Sequence, residues 1–477
     1  MRLLLVWASM LVPYTLFGFY LGDKYISSAN VLAFAIGGVV LVDVFAYQRR
    51  IPWDLLWWQK YFALFLVSAC VSTLFSPYFS GAIARGLFQV AGMGSMLCLT
   101  LALCWQVRLD PAFYGRLLKS TLWGLGVVAI LGIVQFFTFN VLKTEAGFAQ
   151  LMAINDYVGG DVYKLPSELG AVFRPNSICR EPAHLAQFLG LGAGVCFIRI
   201  GLLGREMKRQ LSGIVPLWVA VSLIGCMILT LSIIAYSLMG IVLLSLVVLP
   251  RRPSVRSLKG LAIASIILAG ILLSAVKVAG PTFATKLGTV KLLFSTEVEN
   301  EGAATEAISA MAITSNIYVM AENLKERPVL GVGLGAHPES YLIHAPDYMR
   351  KPDRFRLNAV DAGGLLFRLL SETGYLGTLL FFGGVVAVVG RARRHILDSA
   401  PARADARPLA IGITASLIGV VCVFSVRWAN YYDLELWLLL ALSACVPILY
   451  DSLPARGIPG ARSPHPGGSG EIPEIVP

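Results

Sequence analysis

Four side chains that can bind anions or transfer protons precede a membrane-length apolar run in the middle of the chain. The run belongs to FRPNSICREPAHLAQFLGLGAGVCF, from Phe173 to Phe197. Pro182 follows a glutamate directly, which predicts a helix that begins there with proline in its first turn. A helix N-terminus beside two arginines suits a phosphate group. Alternatively, the arginines reach the lipid head groups, and the negative charge of the glutamate interacts favourably with the positive end of the helix dipole. The four residues are Arg174, Arg180, Glu181 and His184.

A second pair of ionisable residues, Arg368 and Glu372, occurs in AGGLLFRLLSETGYLGTLLFF, from Ala362 to Phe382. The spacing of four places both side chains on one face of a helix, and arginine before glutamate is the weaker order for a surface pair. The segment leads into an apolar run, so the pair is expected close to the hydrocarbon. Ionisable groups at that depth face a bundle interior or a wet cavity and are candidate functional residues.

Two further motifs lie between these pairs. RPVLGVGLGAH, from Arg327 to His337, carries glycines that predict tight turns and close backbone approach. It lacks both the spacing and the strand–helix context of a dinucleotide fingerprint. MRKPDRFR contributes a basic run that includes Arg354 and Arg356. A solvated charge run is the ordinary interpretation, and binding of an anionic polymer or a pyrophosphate is the alternative.

The composition predicts that a membrane holds these motifs in place. The 477 residues are 57% hydrophobic and 14% charged, with a mean hydropathy of +0.72, whereas soluble domains are about a quarter charged. A membrane-spanning helix needs roughly 20 mostly apolar residues. By that criterion we predict an all-α bundle of about twelve spans. They are Leu3–Tyr20, Val31–Tyr47, Tyr61–Phe75, Gly86–Trp105, Leu122–Thr138, Leu185–Leu203, Ile214–Leu231, Ile233–Leu249, Leu261–Ala279, Tyr375–Gly390, Leu409–Val426 and Leu434–Tyr450.

Basic residues alternate from loop to loop in agreement with this topology. With the N-terminus in the cytoplasm, the inside loops are rich in arginine and lysine, and the other side holds little beyond Lys24, Arg85 and Arg427. The positive-inside rule then predicts a multi-pass membrane protein with both termini cytoplasmic. The net charge of +11 follows from this topology, so we predict no nucleic-acid partner. We expect the first apolar run to be a retained span, because no clear small-residue cleavage site follows it.

The predicted organisation is one polytopic membrane domain, residues 1–453, and a disordered cytoplasmic tail, residues 454–477. Two long outer loops, residues 140–184 and 280–362, interrupt the short connections on the same side. The second loop carries helix-spaced apolar residues and is predicted to form a partly helical periplasmic cap. Seven of the eight cysteines lie in apolar runs, and no Cys/His metal spacing occurs. We therefore predict no metal site and no cofactor.

The motifs together resemble the O-antigen polymerase and ligase superfamily. The resemblance lies in Arg-Pro-x-x-Gly-x-Gly-x-Gly from Arg327, in Glu-x-Gly-x-x-Gly from Glu372, and in the Arg…Glu-Pro segment before a middle span. LTLSIIAYSLMG, from Leu229 to Gly240, is similar to a Leu-Thr-x-Ser-Arg segment of that family, although Ile233 replaces the arginine. The span count and the long late loop are also similar.

The resemblance implies a protein of the bacterial inner membrane with a C-type glycosyltransferase-like fold. It also implies glycosyl transfer at the periplasmic face, without a metal or a nucleotide sugar. The donor would be an oligosaccharide on a polyprenyl pyrophosphate, such as undecaprenyl pyrophosphate. Fixed arginines would stabilise the departing pyrophosphate, and a base would take a proton from the acceptor hydroxyl. Glu181, Glu372 and His337 are the predicted base or orienting residues. Arg174, Arg180, His184, Arg327, Arg354, Arg356 and Arg368 are the predicted substrate contacts.

One departure separates two activities within that family. Its ligases carry a His-Asn pair about nine residues before the motif glutamate, and Gly363-Gly364 occupy that place here. A polymerase of O-antigen or exopolysaccharide, with a chain-length regulator and a flippase as possible partners, is therefore the favoured prediction. The alternatives are a ligase that transfers glycan to lipid A-core in lipopolysaccharide, and a polytopic transporter or flippase.

Overall fold

A computed structural model describes most of the membrane domain. The described residues are 1–12, 14, 18–21, 24–45, 55–144, 164–165, 172–179, 181–250, 304–349, 359–360, 362–398, 406–427 and 430–452. The predicted ninth span, Leu261–Ala279, and the predicted tail, residues 454–477, lie outside them.

The described part of the chain is helical apart from two short antiparallel hairpins. Gly18–Leu21 (β1) pairs with Lys24–Ser27 (β2), and Lys164–Leu165 (β3) pairs with Val172–Phe173 (β4). The helices are α1 (Arg2–Leu11), α2 (Ser28–Phe45), α3 (Gln59–Leu74), α4 (Phe79–Leu109), α5 (Ala112–Asn140), α6 (Pro182–Ile200), α7 (Arg205–Gln210), α8 (Leu217–Leu229), α9 (Ile233–Val248), α10 (Ala304–Glu326), α11 (His337–His344), α12 (Leu365–Asp398), α13 (Arg407–Val426), α14 (Leu434–Ala444) and α15 (Val446–Ser452).

Six of the described helices are long and apolar enough to cross a membrane. They are α4, α5, α6, α12, α13 and the stretch Leu434–Asp451, which joins α14 to α15. A seventh is added if Arg205–Gly213 and Leu217–Leu229, which meet at a bend of 108°, count as one span. The chain is therefore a polytopic helical membrane protein. The predicted number of about twelve spans is not confirmed, because α1, α3, α9 and part of α2 are shorter apolar helices.

The first predicted span, Leu3–Tyr20, is wrong as a single helix. Its helix ends at Leu11, and the last residues of the apolar run, from Gly18, belong to strand β1. Pro13 lacks the amide hydrogen that would continue the helix. By contrast, the division of the long apolar stretch near residue 230 into two helices is confirmed. Leu231 adopts a positive φ of 45° between α8 and α9, which turns the chain sharply.

Close helix packing in the centre depends on glycine. Helix α6 crosses α13 where Gly194 meets Gly412, and a Cβ on Gly194 would lie 2.9 Å from the carbonyl carbon of Gly412. Small residues permit such approach between membrane helices, where van der Waals contact drives association. A second contact region is aromatic: Phe62 of α3 packs against Phe381 of α12 and Trp437 of α14, with ring centroids 5.3 and 4.9 Å apart. These contacts fix the helices that carry the polar residues described next.

The second long loop, residues 280–362, contains helices in the part that the structure describes, as its apolar spacing predicts. Helices α10 and α11 belong to it, and both pack against the beginning of α12.

Candidate functional site

Helix α12 is broken at Gly374, and the break joins it to the glycine motif of the outer loop. Gly374 has φ 62° and ψ −164°, a backbone conformation that is essentially restricted to glycine. The break leaves peptide groups on either side of it available for hydrogen bonds with residues 328–333. We call residues 327–335 together with residues 371–376 the glycine junction. Its hydrogen bonds run from Val332 N to Ser371 O (2.9 Å), Gly333 N to Glu372 O (2.9 Å), Tyr375 N to Pro328 O (2.8 Å) and Leu376 N to Val329 O (3.2 Å).

Polar residues near the end of α3 hold the glycine junction from the other side. Ser72 Oγ donates to the carbonyl oxygens of Leu330 and Glu372, the latter at 2.9 Å. Thr73 Oγ1 accepts a hydrogen bond from Leu334 N at 2.9 Å. The two family-like motifs therefore form one structural unit, although about 35 residues of sequence separate them.

A buried ion pair lies directly before the break. Arg368 Nε donates to Glu372 Oε2 at 3.3 Å, and the side chains are 2% and 0% exposed. Tyr431 OH donates to the same carboxylate oxygen at 2.9 Å, and its ring lies under the guanidinium at 4.7 Å. Arg368 Nη1 also donates to Asn430 Oδ1 at 2.7 Å. The prediction that Arg368 and Glu372 share a face and point into the bundle is confirmed.

The two oxygens of the Glu372 carboxylate differ in their partners. Oε2 accepts from Arg368 and Tyr431, whereas the buried Oε1 has no hydrogen-bond partner among the described residues. An acceptor of this kind is costly to bury without a donor. Burial raises the pKa of the Tyr431 phenol well above its ordinary value, so the phenol stays protonated and remains a donor. One oxygen of Glu372 is therefore held by two donors, and the other is buried without a donor among the described residues.

His337 lies in a hydrogen-bonded chain behind this pair. Its Nε2 is 2.9 Å from Asn316 Oδ1, and its Nδ1 is 2.7 Å from Ser371 Oγ. Ser371 Oγ in turn accepts from Asn323 Nδ2 at 2.7 Å. The Asn316 oxygen only accepts, so the proton of the imidazole belongs on Nε2 and Ser371 donates to Nδ1. Both ring nitrogens are hydrogen-bonded to other side chains of the protein. His337 is therefore suited to orienting Ser371, the residue before Glu372.

Burial, reinforced by the nearby charge of Arg368, lowers the pKa of His337 from 6.5 to about 3. Between these values the unfolded chain binds a proton that the folded protein excludes, so lowering the pH below 6.5 removes stability. From pH 7.5 to pH 5.0 this residue is expected to remove about 2 kcal/mol. Thermal unfolding of the purified protein in detergent at both pH values measures the loss. In His337→Gln the difference in unfolding free energy between pH 7.5 and pH 5.0 should be smaller by about 2 kcal/mol. An unchanged difference would contradict the lowered pKa of His337.

A second basic region surrounds the start of α6, which begins at Pro182 with Glu181 as its N-cap, as predicted. Arg174 Nε donates to Thr230 O at 3.1 Å. Burial lowers the pKa of Arg174 to about 10; the charge of Glu181 opposes this effect, and the charge of Arg427 adds to it. Arg174 therefore lies in the field of both a carboxylate, Glu181, and a second arginine, Arg427, and the carboxylate has the larger effect of the two.

The predicted site residues do not all meet at one point. Arg327 is half-buried, and its Nη1 donates to Phe75 O at 2.5 Å, which ties the glycine junction to the end of α3. His184 is half-buried in the first turn of α6. Arg368 contacts the connection between α13 and α14 through Asn430, whereas Arg174 donates to Thr230 O in the turn between α8 and α9. Arg180, Arg354 and Arg356 lie outside the described residues.

Several residues of the site carried no distinctive sequence signal. Asn430 and Tyr431 follow a span as ordinary polar residues, and only the geometry joins them to Arg368. Asn316 and Asn323 are seven residues apart on α10, a spacing that places both on one helix face and would have predicted a shared polar contact. Arg85 lies within α4 rather than in a loop, and its Nη2 pairs with Glu339 Oε1 at 2.5 Å.

Within the described residues, no group of three or more histidine, cysteine, aspartate or glutamate side chains is arranged to hold a metal ion. No protein-family profile matches the chain, and no curated protein is significantly similar to it.

Proposed function

We propose that this protein is a polymerase that joins polyprenyl-pyrophosphate-linked oligosaccharide repeat units into an O-antigen-like glycan or an exopolysaccharide. The reaction takes place at the periplasmic face of the inner membrane in a bundle of the glycosyltransferase-like type. The observation that carries the proposal is the Glu372 carboxylate, with one oxygen fixed by Arg368 and Tyr431 and the other without a protein donor. An acceptor sugar hydroxyl supplies that missing donor.

Glycosyl transfer requires a base, and Glu372 fits this role best. The acceptor hydroxyl donates to Oε1 and loses its proton there as its oxygen attacks the anomeric carbon of the donor sugar. Arg368 and Tyr431 hold the carboxylate in one orientation throughout, which lowers the cost of aligning the reacting atoms. His337, with both nitrogens engaged, positions Ser371 and the break in α12 and does not transfer the proton.

The departing pyrophosphate requires positive charge, and the region around α6 supplies it. Burial lowers the pKa of Arg174, the charge of Glu181 raises it, and the charge of Arg427 lowers it. A bound pyrophosphate relieves the repulsion between the two arginines and accepts hydrogen bonds from both guanidinium groups. Arg180, two residues before the helix start in the sequence, is included in this group in the proposal, as are Arg354 and Arg356 of the second long loop.

Reconstitution tests the proposed reaction. Purified protein in proteoliposomes is given a polyprenyl-pyrophosphate-linked repeat unit, a metal chelator and no nucleotide sugar. A ladder of products that grows by whole repeat units is expected. Transfer to lipid A-core without a ladder would identify a ligase, and movement of the repeat unit across the bilayer without a new glycosidic bond would identify a transporter. Either result would overturn the proposal.

A further inference from the structure

A cavity of about 320 Å³ lies at the ends of α4 and α12 that are remote from Glu372. It is formed by the segment before α3, the last turns of α4, the second half of α12 and the α14–α15 junction. Its lining combines two arginines and two tryptophans with small and aliphatic residues. The residues are Leu55, Trp57, Trp58, Cys104, Arg108, Arg391, Ala444, Pro447, Ile448 and Asp451.

Helix length places this cavity at the opposite membrane surface from the candidate site. About 28 Å of helix separates Glu372 from Arg391 on α12, at about 1.5 Å per residue. About 35 Å separates Arg85, which contacts the outer loop, from Arg108 on α4. Both lengths match the thickness of the hydrocarbon core, about 30 Å. The cavity therefore lies at the level of the head groups, on the face that the loop charges predict to be cytoplasmic.

The side chains of the cavity are arranged with charge at the mouth and apolar surface inside. Arg391 and Arg108 are exposed, while Trp58 and Cys104 are fully buried in the wall. The Arg391 guanidinium lies 4.4 Å from the centre of the Trp57 ring, a contact that holds it over the opening. Asp451 offsets one of the two positive charges, so the cavity retains a net positive charge.

We infer that this cavity binds the phosphate-bearing head group of an anionic membrane lipid. Guanidinium groups match phosphate oxygens in geometry and charge, and basic pockets between membrane helices on the cytoplasmic side suit anionic head groups. The depth of the cavity and its two tryptophans favour a lipid over a soluble anion, because tryptophan is enriched at the membrane–water interface. The apolar wall, with Leu55 and Ile448, accepts the glycerol and the first carbons of the acyl chains.

Lipid titration of the purified full-length protein tests this inference. Phosphatidylglycerol, phosphatidylethanolamine with the same acyl chains, and inorganic phosphate are added separately, and bound lipid is measured by native mass spectrometry. Phosphatidylglycerol is expected to bind in preference. The double substitution Arg108→Gln/Arg391→Gln should weaken its binding by about 25-fold, or about fivefold for each arginine. Arg391→Gln alone is the milder variant, to be used if the double variant does not fold. It should weaken binding about fivefold.

Arg394→Gln is the matched control, because Arg394 is exposed at the same end of α12 and does not line the cavity. It should change binding by less than twofold. Equal binding of the two phospholipids, or an equal loss in Arg394→Gln, would overturn the inference in favour of diffuse surface charge. Saturation of the cavity by inorganic phosphate at the affinity of phosphatidylglycerol would overturn the assignment to a lipid.

Discussion

Replacing Glu372 by glutamine is expected to reduce glycan chain elongation by a factor of about 10² to 10⁴, the usual contribution of a general base. The substitution keeps the size of the side chain and an oxygen that can accept from Arg368 and Tyr431. It removes the negative charge and the capacity to take a proton from the acceptor hydroxyl. The rate of product formation in proteoliposomes measures the effect, with donor binding measured separately to show that the loss lies in the transfer step.

Loss of the Glu372 charge also leaves Arg368 buried without its counter-ion, which costs about 3–5 kcal/mol when a buried pair is broken. Tyr431→Phe provides a variant that keeps the carboxylate and removes one hydrogen bond to Oε2. A hydrogen bond to a charged group contributes about 1.5–3 kcal/mol, so an activity loss of about tenfold or more is expected.

Glu339→Gln is the matched control for both substitutions. Its carboxylate also pairs with an arginine, Arg85, which donates to Gly335 O at the end of the glycine junction, whereas the Glu372 carboxylate is held by Arg368 and Tyr431. Elongation in this variant should stay within about twofold of the wild type, because a part-exposed ion pair contributes about 1 kcal/mol or less to stability. If glutamine at position 372 leaves elongation intact in a folded protein, Glu372 is not the base and Glu181 becomes the next candidate.

Local sequence features predicted the parts of the site that depend on neighbouring residues. The spacing of Arg368 and Glu372 predicts a shared helix face, and their position before an apolar run predicts burial. Glu181-Pro182 predicts the start of α6 because proline needs no hydrogen bond in the first turn. Such inferences need only helix geometry and the chemistry of adjacent residues.

Contacts between distant segments could not be predicted in this way. No local rule brings Tyr431 to Glu372 or Arg85 to Glu339, since each pair depends on how whole helices cross. The span count is not confirmed, for a related reason. Hydropathy measures how apolar a run is, so it does not distinguish the short helix and hairpin at the N-terminus from one continuous helix. The glycine motifs predicted turns. The hydrogen bonds between the two motifs depend on the fold and could not be predicted from either motif alone.

Gly374→Ala is expected to destabilise the protein by about 2–6 kcal/mol. An alanine at φ 62°, ψ −164° is strained by about 1–3 kcal/mol. Its Cβ would also lie 2.5 Å from the carbonyl carbon of Val329 and 2.7 Å from Gly331 N, so the backbone of the outer loop would have to move. Thermal unfolding of the detergent-solubilised protein, followed by tryptophan fluorescence, measures the loss.

The same helix offers a control in which the identical substitution should have the opposite sign. A Cβ on Gly390 meets no atom within 4 Å, and its backbone is helical. Alanine is favoured over glycine in a helix interior by about 0.5–1 kcal/mol, so Gly390→Ala should leave stability unchanged or raise it slightly. A Gly374→Ala protein that unfolds within about 1 kcal/mol of the wild type would contradict the described break in α12, since a continuous helix would accept alanine there.

A double substitution separates strain within α12 from disruption of the whole glycine junction. A Cβ on Gly331 would lie 2.6 Å from Gly374 N and from Ser371 O, so Gly331→Ala disturbs the same contact from the loop side. Once one alanine has moved the loop away from α12, the second alanine causes a smaller steric clash. The Gly331→Ala/Gly374→Ala protein should therefore lose less stability than the two single losses added together, by about 0.5–3 kcal/mol. Gly374→Ala/Gly390→Ala should be additive, because these positions share no contact. Additivity in both pairs would mean that Gly374 acts only within its own helix and that the two motifs do not depend on each other.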